Sequence, residues 1–265
     1  VPAGDGYTAQ KAFEIGSAQE LYWLTQSGES LINDTSGFPY IKQTADIDAA
    51  SIVDCASGDQ WLSPHLGGIY DGGVFTVTNL SAYLVKDING NAQGFGLFGA
   101  LQKSNTVTAV TTVKNLTLDT FAVDENADRP IGAIAGAVGT FGGEFKISNV
   151  KVESSTIKVG NTSPGGMGGV IGSISSAVDK ATLSGVVVKD STLKSLSTSE
   201  SRIGGLIGRT FVFDNFDVTD SYFIGDIVVN RKGKVGGIFG EFDITGSEQS
   251  GEIKNIYLVI RDGSG

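Results

Sequence analysis

Apolar and polar residues alternate with a period of two through much of the chain, in runs rich in Val, Ile and Thr such as Val113 to Leu118 and Ile147 to Val159. Clusters of Gly, Asn, Ser and Asp bound these runs, so the pattern predicts short strands joined by turns. The runs recur. A pattern of apolar, Gly, Gly or Ala, apolar, apolar, Gly stands at Ile131 to Gly136, Met167 to Gly172, Ile203 to Gly208 and Val235 to Gly240, with a looser copy from Gly94 to Gly99. Its closing glycines lie 37, 36, 36 and 32 residues apart. A second marker, apolar-x-Asn-apolar, places Asn79, Asn115, Asn149 and Asn255 in one phase, with Gly185 and Asp220 substituting, at steps of 36, 34, 36, 35 and 35. Two independent markers with one period define a repeat.

A helical repeat of this length would need apolar residues at 3.6 spacing and few glycines, each of which costs a helix interior about 1 kcal/mol relative to Ala. A propeller blade would carry four antiparallel strands and a Trp-Asp signature. What remains is an all-β fold, a parallel β-solenoid in which each repeat is one rung about 4.8 Å above the last. Stacked rungs turn each marker into a column. The glycines let backbone turn or pass close to an opposite wall, and the asparagines adopt left-handed turn geometry and pass amide hydrogen bonds from rung to rung. Ile147, Val150 and Val152 then point into a continuous core.

The opening segment differs. Ser17-Ala18-Gln19-Glu20 forms a capping box ahead of Leu21-Tyr22-Trp23-Leu24, which predicts a short amphipathic helix over 17–27. A solenoid end exposes unpaired backbone and a cut core, and this helix is placed as its cover. The chain is thereby read as one domain, 1–265, with an N-terminal cap over 1–39 and stacked rungs over 40–265. It opens Val-Pro-Ala-Gly-Asp, without Met or a leader, and shows no matching cap after Leu258, so it reads as a processed or excised piece followed by more rungs or another domain.

Composition narrows the partners. The 265 residues are 40% hydrophobic and 18% charged, with 38 Gly but one Cys, one Met and one His. A single Cys forbids an intrachain disulfide and a Cys-based zinc site. Nineteen basic against 29 acidic residues give a net charge of −10 and a pI near 4.6, which disfavours nucleic acid. No apolar run approaches the roughly 18 residues of a membrane span.

Ala18-Gln19-Glu20-Leu21-Tyr22, Tyr40-Ile41 to Ala45-Asp46-Ile47-Asp48, Trp61-Leu62-Ser63-Pro64, Gly68-Ile69-Tyr70-Asp71-Gly72-Gly73, Val77-Thr78-Asn79-Leu80 and Gly96-Leu97-Phe98-Gly99 follow in order. This succession resembles the opening of proteins carrying the GLUG motif, and the likeness extends over nearly the whole chain. It implies a right-handed parallel β-helix within a large secreted or surface-attached bacterial protein, of the kind found in adhesins and some IgA-cleaving peptidases, where the β-helix is a non-catalytic stalk or binding region. It supplies no catalytic residues.

The candidate chemistry is sparse. His65 has no nucleophile elbow to serve, and Cys55 beside it lacks a supporting motif. Asp46, Asp48, Asp54 and Asp59 are dense enough to raise Ca²⁺ but lack calcium-loop spacing. The stretches 119–130, with Asp124, Glu125 and Asp128, and 241–252, with Glu241, Asp243 and Glu248, read as solvated acidic loops, the first being the better placed to bridge turns through Ca²⁺. Phe211, Phe213 and Phe216 beside Arg209 could stack on sugar rings, although core packing is their commoner fate. Asn33-Asp34-Thr35 and Asn161-Thr162-Ser163 fit the glycosylation pattern.

The resulting expectation is an extracellular or cell-surface adhesive or spacer module without catalysis, cofactor or metal, whose partner is a glycan or protein of a host or neighbouring cell. The alternative is a polysaccharide-degrading enzyme on the same scaffold, which needs converging carboxylates that adjacent repeats do not supply. An ice-binding solenoid, the third reading, needs a Thr-x-Thr array in register, and Thr76/Thr78 and Thr106/Thr108 do not share a repeat phase.

Overall fold

Val113, Ile147, Leu183 and Val218 stand directly over one another in parallel register, and none is more than 1% exposed. Columns of this kind make up the core. The computed structural model describes residues 2–6, 8–26, 39–53, 61–82, 94–103, 109–125, 128–139, 142–160, 165–211, 215–230, 233–243 and 250–261. They form a parallel β-solenoid of about five turns, with 60% of residues in strands and one α-helix.

Three sheets run along its length. The largest has fifteen strands and follows the order Phe13–Ile15, Tyr40–Gln43, Ile69–Asp71, Thr111–Asp119, Gly143–Glu153, Val178–Ser195 and onward. A four-stranded sheet stacks Ile131–Gly132, Met167–Gly168, Ser201–Gly204 and Gly233–Gly236. A six-stranded sheet stacks His65–Leu66, Phe98–Leu101, Ala135–Val138, Ile171–Ile174, Ile207–Thr210 and Phe239–Phe242.

The glycine repeat marks where the two smaller sheets meet. Flanking pairs set Gly99, Gly136, Gly172, Gly208 and Gly240 in one column. A Cβ on Gly136 would lie 2.3 Å from the Phe95 backbone nitrogen, and one on Gly208 2.2 Å from that of Met167. Each outgoing strand therefore lies backbone to backbone on the incoming strand of the turn before, at a separation that no side chain permits.

The asparagine column is also present, with one correction. Asn115, Asn149, Gly185, Asp220 and Asn255 all adopt φ between 51° and 63°, the left-handed geometry that Asn, Asp and Gly tolerate. Asn149 Nδ2 donates to Asn115 Oδ1 at 3.3 Å and Asn255 Nδ2 to Asp220 Oδ1 at 2.7 Å. Asn79, however, does not belong to this column. It follows Thr78, which pairs with Asp119, so it stands over Thr120 at the next corner and accepts that residue's hydroxyl at 2.9 Å. The cause is length: this turn takes 43 residues from Asp71 to its partner Lys114 and 41 from Thr78 to Asp119, so a step of 36 from Asn79 stops one corner short of its register partner. The same register sets Thr76 over Thr117 but Thr78 over Asp119, so the Thr76/Thr78 pair does not continue into the next turn; Thr106 and Thr108 lie outside the described residues.

Asn149→Gly should be tolerated within about 1 kcal/mol, because Gly185 already fills the column, whereas Asn149→Val places a β-branched residue at φ 53° and should cost roughly 1–3 kcal/mol. Urea midpoints of the two variants check the ordering; equal midpoints would contradict it.

At the N-terminus the helix runs Ala18–Gln26, as the capping box predicts. Ser17 Oγ accepts the Glu20 N–H at 3.3 Å, and Glu20 Oε2 reaches back to the Gly16 N–H at 2.9 Å. Leu21 and Leu24 are fully buried in the core that holds Ile15 and Ile41. Stacking begins earlier than residue 40. Phe13–Ile15 already pairs in parallel with Tyr40–Gln43, a three-residue strand too short for alternation to reveal. Its outer edge is covered by Ala3, whose carbonyl accepts the Glu14 N–H at 2.9 Å in an antiparallel bridge.

Two polar side chains lie wholly inside this end of the core. The Tyr70 hydroxyl donates to Gln43 Oε1 at 3.2 Å, and Gln43 Nε2 donates to the carbonyls of Ala45 and Thr76 at 2.9 and 3.1 Å. Burial pushes the Tyr70 phenol far above its ordinary value of 10.0. The unfolded chain releases this proton near pH 10 while the folded one retains it, so the contribution is intact below about pH 10 and falls as pH rises above it. Tyr70→Phe should flatten the loss of stability between about pH 10 and 12, read as thermal midpoint against pH; an unchanged slope would mean that Tyr70 ionises freely in the fold.

Candidate functional site

Outward-facing positions of adjacent turns lie about 4.8 Å apart, so side chains distant in sequence meet in vertical pairs. Two polar networks arise in this way. In the first, Asp71 Oδ2 faces Lys114 Nζ at 3.1 Å and the Tyr40 hydroxyl at 3.4 Å, while its Oδ1 accepts from Asn115 Nδ2 at 3.0 Å and the Gly73 N–H at 3.1 Å. Enclosure alone would raise the Asp71 carboxyl; the Asn115, Gly73 and Lys114 contacts outweigh it and hold it below the usual range. Asp71 thus ties the corner at Gly73 to the foot of the asparagine column.

The second network surrounds Glu241. This residue lies in the strand Phe239–Phe242, with its side chain only 13% exposed, and not in a solvated loop as its acidic surroundings suggest. Arg202, Lys234 and Arg209 all converge on it, Arg209 Nε at 2.9 Å from Oε2. Glu200 flanks the group, 3.4 Å from Lys234 Nζ. Enclosure would raise the Glu241 carboxyl, but hydrogen bonds from Lys234 and Arg202 and the charges of both arginines hold it low. The Arg209 guanidinium carbon also sits 3.9 Å from the centre of the Phe211 ring, a cation–π contact. Three cations against two carboxylates leave one positive charge in a chain of net charge −10.

The aromatic row divides. Phe211 lies at the surface under Arg209, Phe216 is buried against Phe239 at 5.3 Å, and Phe213 lies outside the described residues. His65 Nδ1 lies 3.5 Å from Gln102 Nε2, in the turn above. Cys55, Asp54, Asp59, Glu248 and both glycosylation patterns fall outside the described residues, as do the side chain of Glu125 and residues 126 and 127. Asp46 and Asp48 act as braces: Asp46 Oδ1 accepts the Thr76 N–H at 2.8 Å, and Asp48 Oδ1 accepts the Ala50 N–H and Asn79 Nδ2. Asp124 pairs with Lys158, its neighbour in register, at 2.7 Å, and Asp128 with Arg129 at 3.7 Å. Asp243 uses its backbone N–H to bond the Thr210 carbonyl at 3.1 Å. Among the described residues no three His, Cys, Asp or Glu side chains gather closely enough to hold a metal.

Arg202, Lys234 and Glu200 carry no motif and escape a reading of the sequence by composition. A signal was available in the period: Arg202 and Lys234, like Arg209 and Glu241, lie 32 residues apart, the step that separates Gly208 from Gly240.

No protein-family model matches the chain, and a comparison with curated proteins found no match. Among solved structures the chain is similar to one described as a "putative immunoglobulin A1 protease" from Bacteroides ovatus, with a TM-score of 0.53 and 16% identity over 99% of this chain and 80% of that one. Likeness at this identity concerns the fold alone.

Proposed function

We propose that this chain is a non-catalytic module of a large bacterial cell-surface or secreted protein, serving adhesion or spacing. The observation that carries the reading is the state of its two most enclosed charge networks. Asp71 and Glu241 are each clamped by cations from adjacent turns and held ionised, which suits a carboxylate that braces a stack and unsuits it as a proton donor to a leaving group. The resemblance to GLUG-motif proteins, in which the β-helix is a non-catalytic stalk or binding region, favours the same reading. No helix among the described residues is long and apolar enough to cross a membrane.

The test sets binding beside turnover. The purified chain is applied to arrays of bacterial and host glycans and to intact cell surfaces, and in parallel incubated with immunoglobulin A1 and with polysaccharides. Retention on a surface without cleavage is the expected result. New reducing ends or immunoglobulin fragments, lost on substituting a residue of the chain, would overturn it in favour of an enzyme.

A further inference from the structure

Among the described residues, the two strand positions that hold the ionic cluster carry uncharged residues in the two preceding turns. On the six-stranded sheet the register runs Ala137, Ser173, Arg209, Glu241. On the four-stranded sheet Arg202 stands over Lys234, and the residues one place ahead of Ile131 and Met167, Pro130 and Gly166, hold the corresponding positions in the two preceding turns. The two preceding turns thus close at this place without charged side chains, and the ionic cluster is particular to the two turns that follow. A Cβ on Gly166 would lie 2.3 Å from the Gly172 carbonyl oxygen and 3.1 Å from Arg209 Cβ, so the backbone of its own turn demands this glycine, and the arginine stem lies beside it.

Arg209 is fixed from two directions, by the Phe211 ring and by Glu241, whose Oε2 lies 2.9 Å from the Arg209 Nε. A guanidinium held flat in this way, with its side chain 22% exposed, is preorganised for a planar oxyanion, which it can meet through its terminal N–H groups. The single excess positive charge of the cluster matches a monoanion. Alongside it, in the preceding turns, Ser173 and Ala137 form a strip of small, partly exposed side chains parallel to the solenoid axis.

We propose that Arg202, Arg209 and Lys234, gathered on Glu241, bind the carboxylate or sulfate ester of an acidic glycan whose chain lies along Ser173 and Ala137. This rests on the adhesive reading and names its ligand. Phe211 is a positioning residue that holds the Arg209 guanidinium flat.

The test measures binding of the intact chain to immobilised sialylated, uronate-containing and sulfated oligosaccharides and to their neutral counterparts. The expected result is retention of at least one acidic class, weakened when salt is raised from about 50 to 500 mM, since exposed ion pairs are screened over that range. The class retained separates carboxylate from sulfate. Arg209→Gln and the more exposed Lys234→Gln should each lower affinity at least tenfold, Phe211→Leu should lower it less, and Lys194→Gln, on the largest sheet, should leave it unchanged. Melting temperatures confirm that each variant is folded, and Lys234→Gln carries the test if Arg209→Gln is not. Glycan binding indifferent to both substitutions would overturn the site and leave the adhesive reading standing. Cell-surface retention with no acidic glycan bound would overturn the glycan assignment alone, and absence of all binding would overturn both.

Discussion

Gly205→Val should unfold the protein at a markedly lower urea concentration than the parent chain. A Cβ at this position would lie 2.3 Å from the Gly237 carbonyl oxygen in the next turn and 2.5 Å from Cγ of Phe223, a fully buried ring. The first contact is with backbone that is itself fixed by the hydrogen bond from the Gly205 N–H to the Gly236 carbonyl at 3.0 Å, so the turns would have to separate before valine fits. Overpacking of a core commonly costs about 1–3 kcal/mol, and a clash with a braced backbone places this substitution at the top of that range. Gly169 and Gly237 share the column, with Cβ clashes at 2.3 Å and 2.6 Å, and Gly169→Val should behave alike. Lys189→Ala, on the outer face, should stay within about 0.5 kcal/mol. A Gly205→Val midpoint equal to that of the parent would refute the stacking at this column.

Deleting residues 1–30 should make the chain self-associate beyond the state of the parent. The deletion removes the helix, with Leu21 and Leu24, and the strand Phe13–Ile15 that pairs with Tyr40–Gln43. It therefore uncovers Ile41 and leaves a parallel edge bare, the arrangement that templates pairing with another chain. A gentler variant, Glu20→Ala, breaks only the back-bond to Gly16 and the bond from the Ser17 hydroxyl, and should cost about 1 kcal/mol without association. Size-exclusion chromatography distinguishes the outcomes, and a truncated chain that elutes in the same state as the parent would reject the capping role.

The columns were legible because their chemistry is local. Each glycine position is set by a backbone contact that recurs every turn, so spacing alone locates Gly136, Gly172, Gly208 and Gly240. The helix was legible for the same reason, since its start signal lies within four residues. Asn79 shows the limit. A step of 36 residues leads from Asn79 to Asn115, but its register partner is Thr120, 41 residues on, because this turn is longer than those that follow. The Glu241 cluster was hidden for a related reason: Arg202, Arg209, Lys234 and Glu241 become neighbours only through strand register, and each alone resembles an ordinary surface charge. Acidic composition around Glu241 likewise suggests a loop, whereas the strand is fixed by Phe239 packing on Phe216.

The parallel stacking that organises the core also dictates how the molecule yields to force. The first and last strands of the largest sheet lie at opposite ends of the stack, so tension applied between the two ends acts along the axis, in line with the hydrogen bonds that join successive turns. Those bonds share a stretching load collectively, while a pull on a chain terminus opens them one turn at a time. From Leu183 to its partner Val218 one turn contains 35 residues, and at about 3.4 Å per extended residue each release lengthens the chain by roughly 120 Å. Stretching of single chains should therefore show lengthening in repeated increments of about one turn.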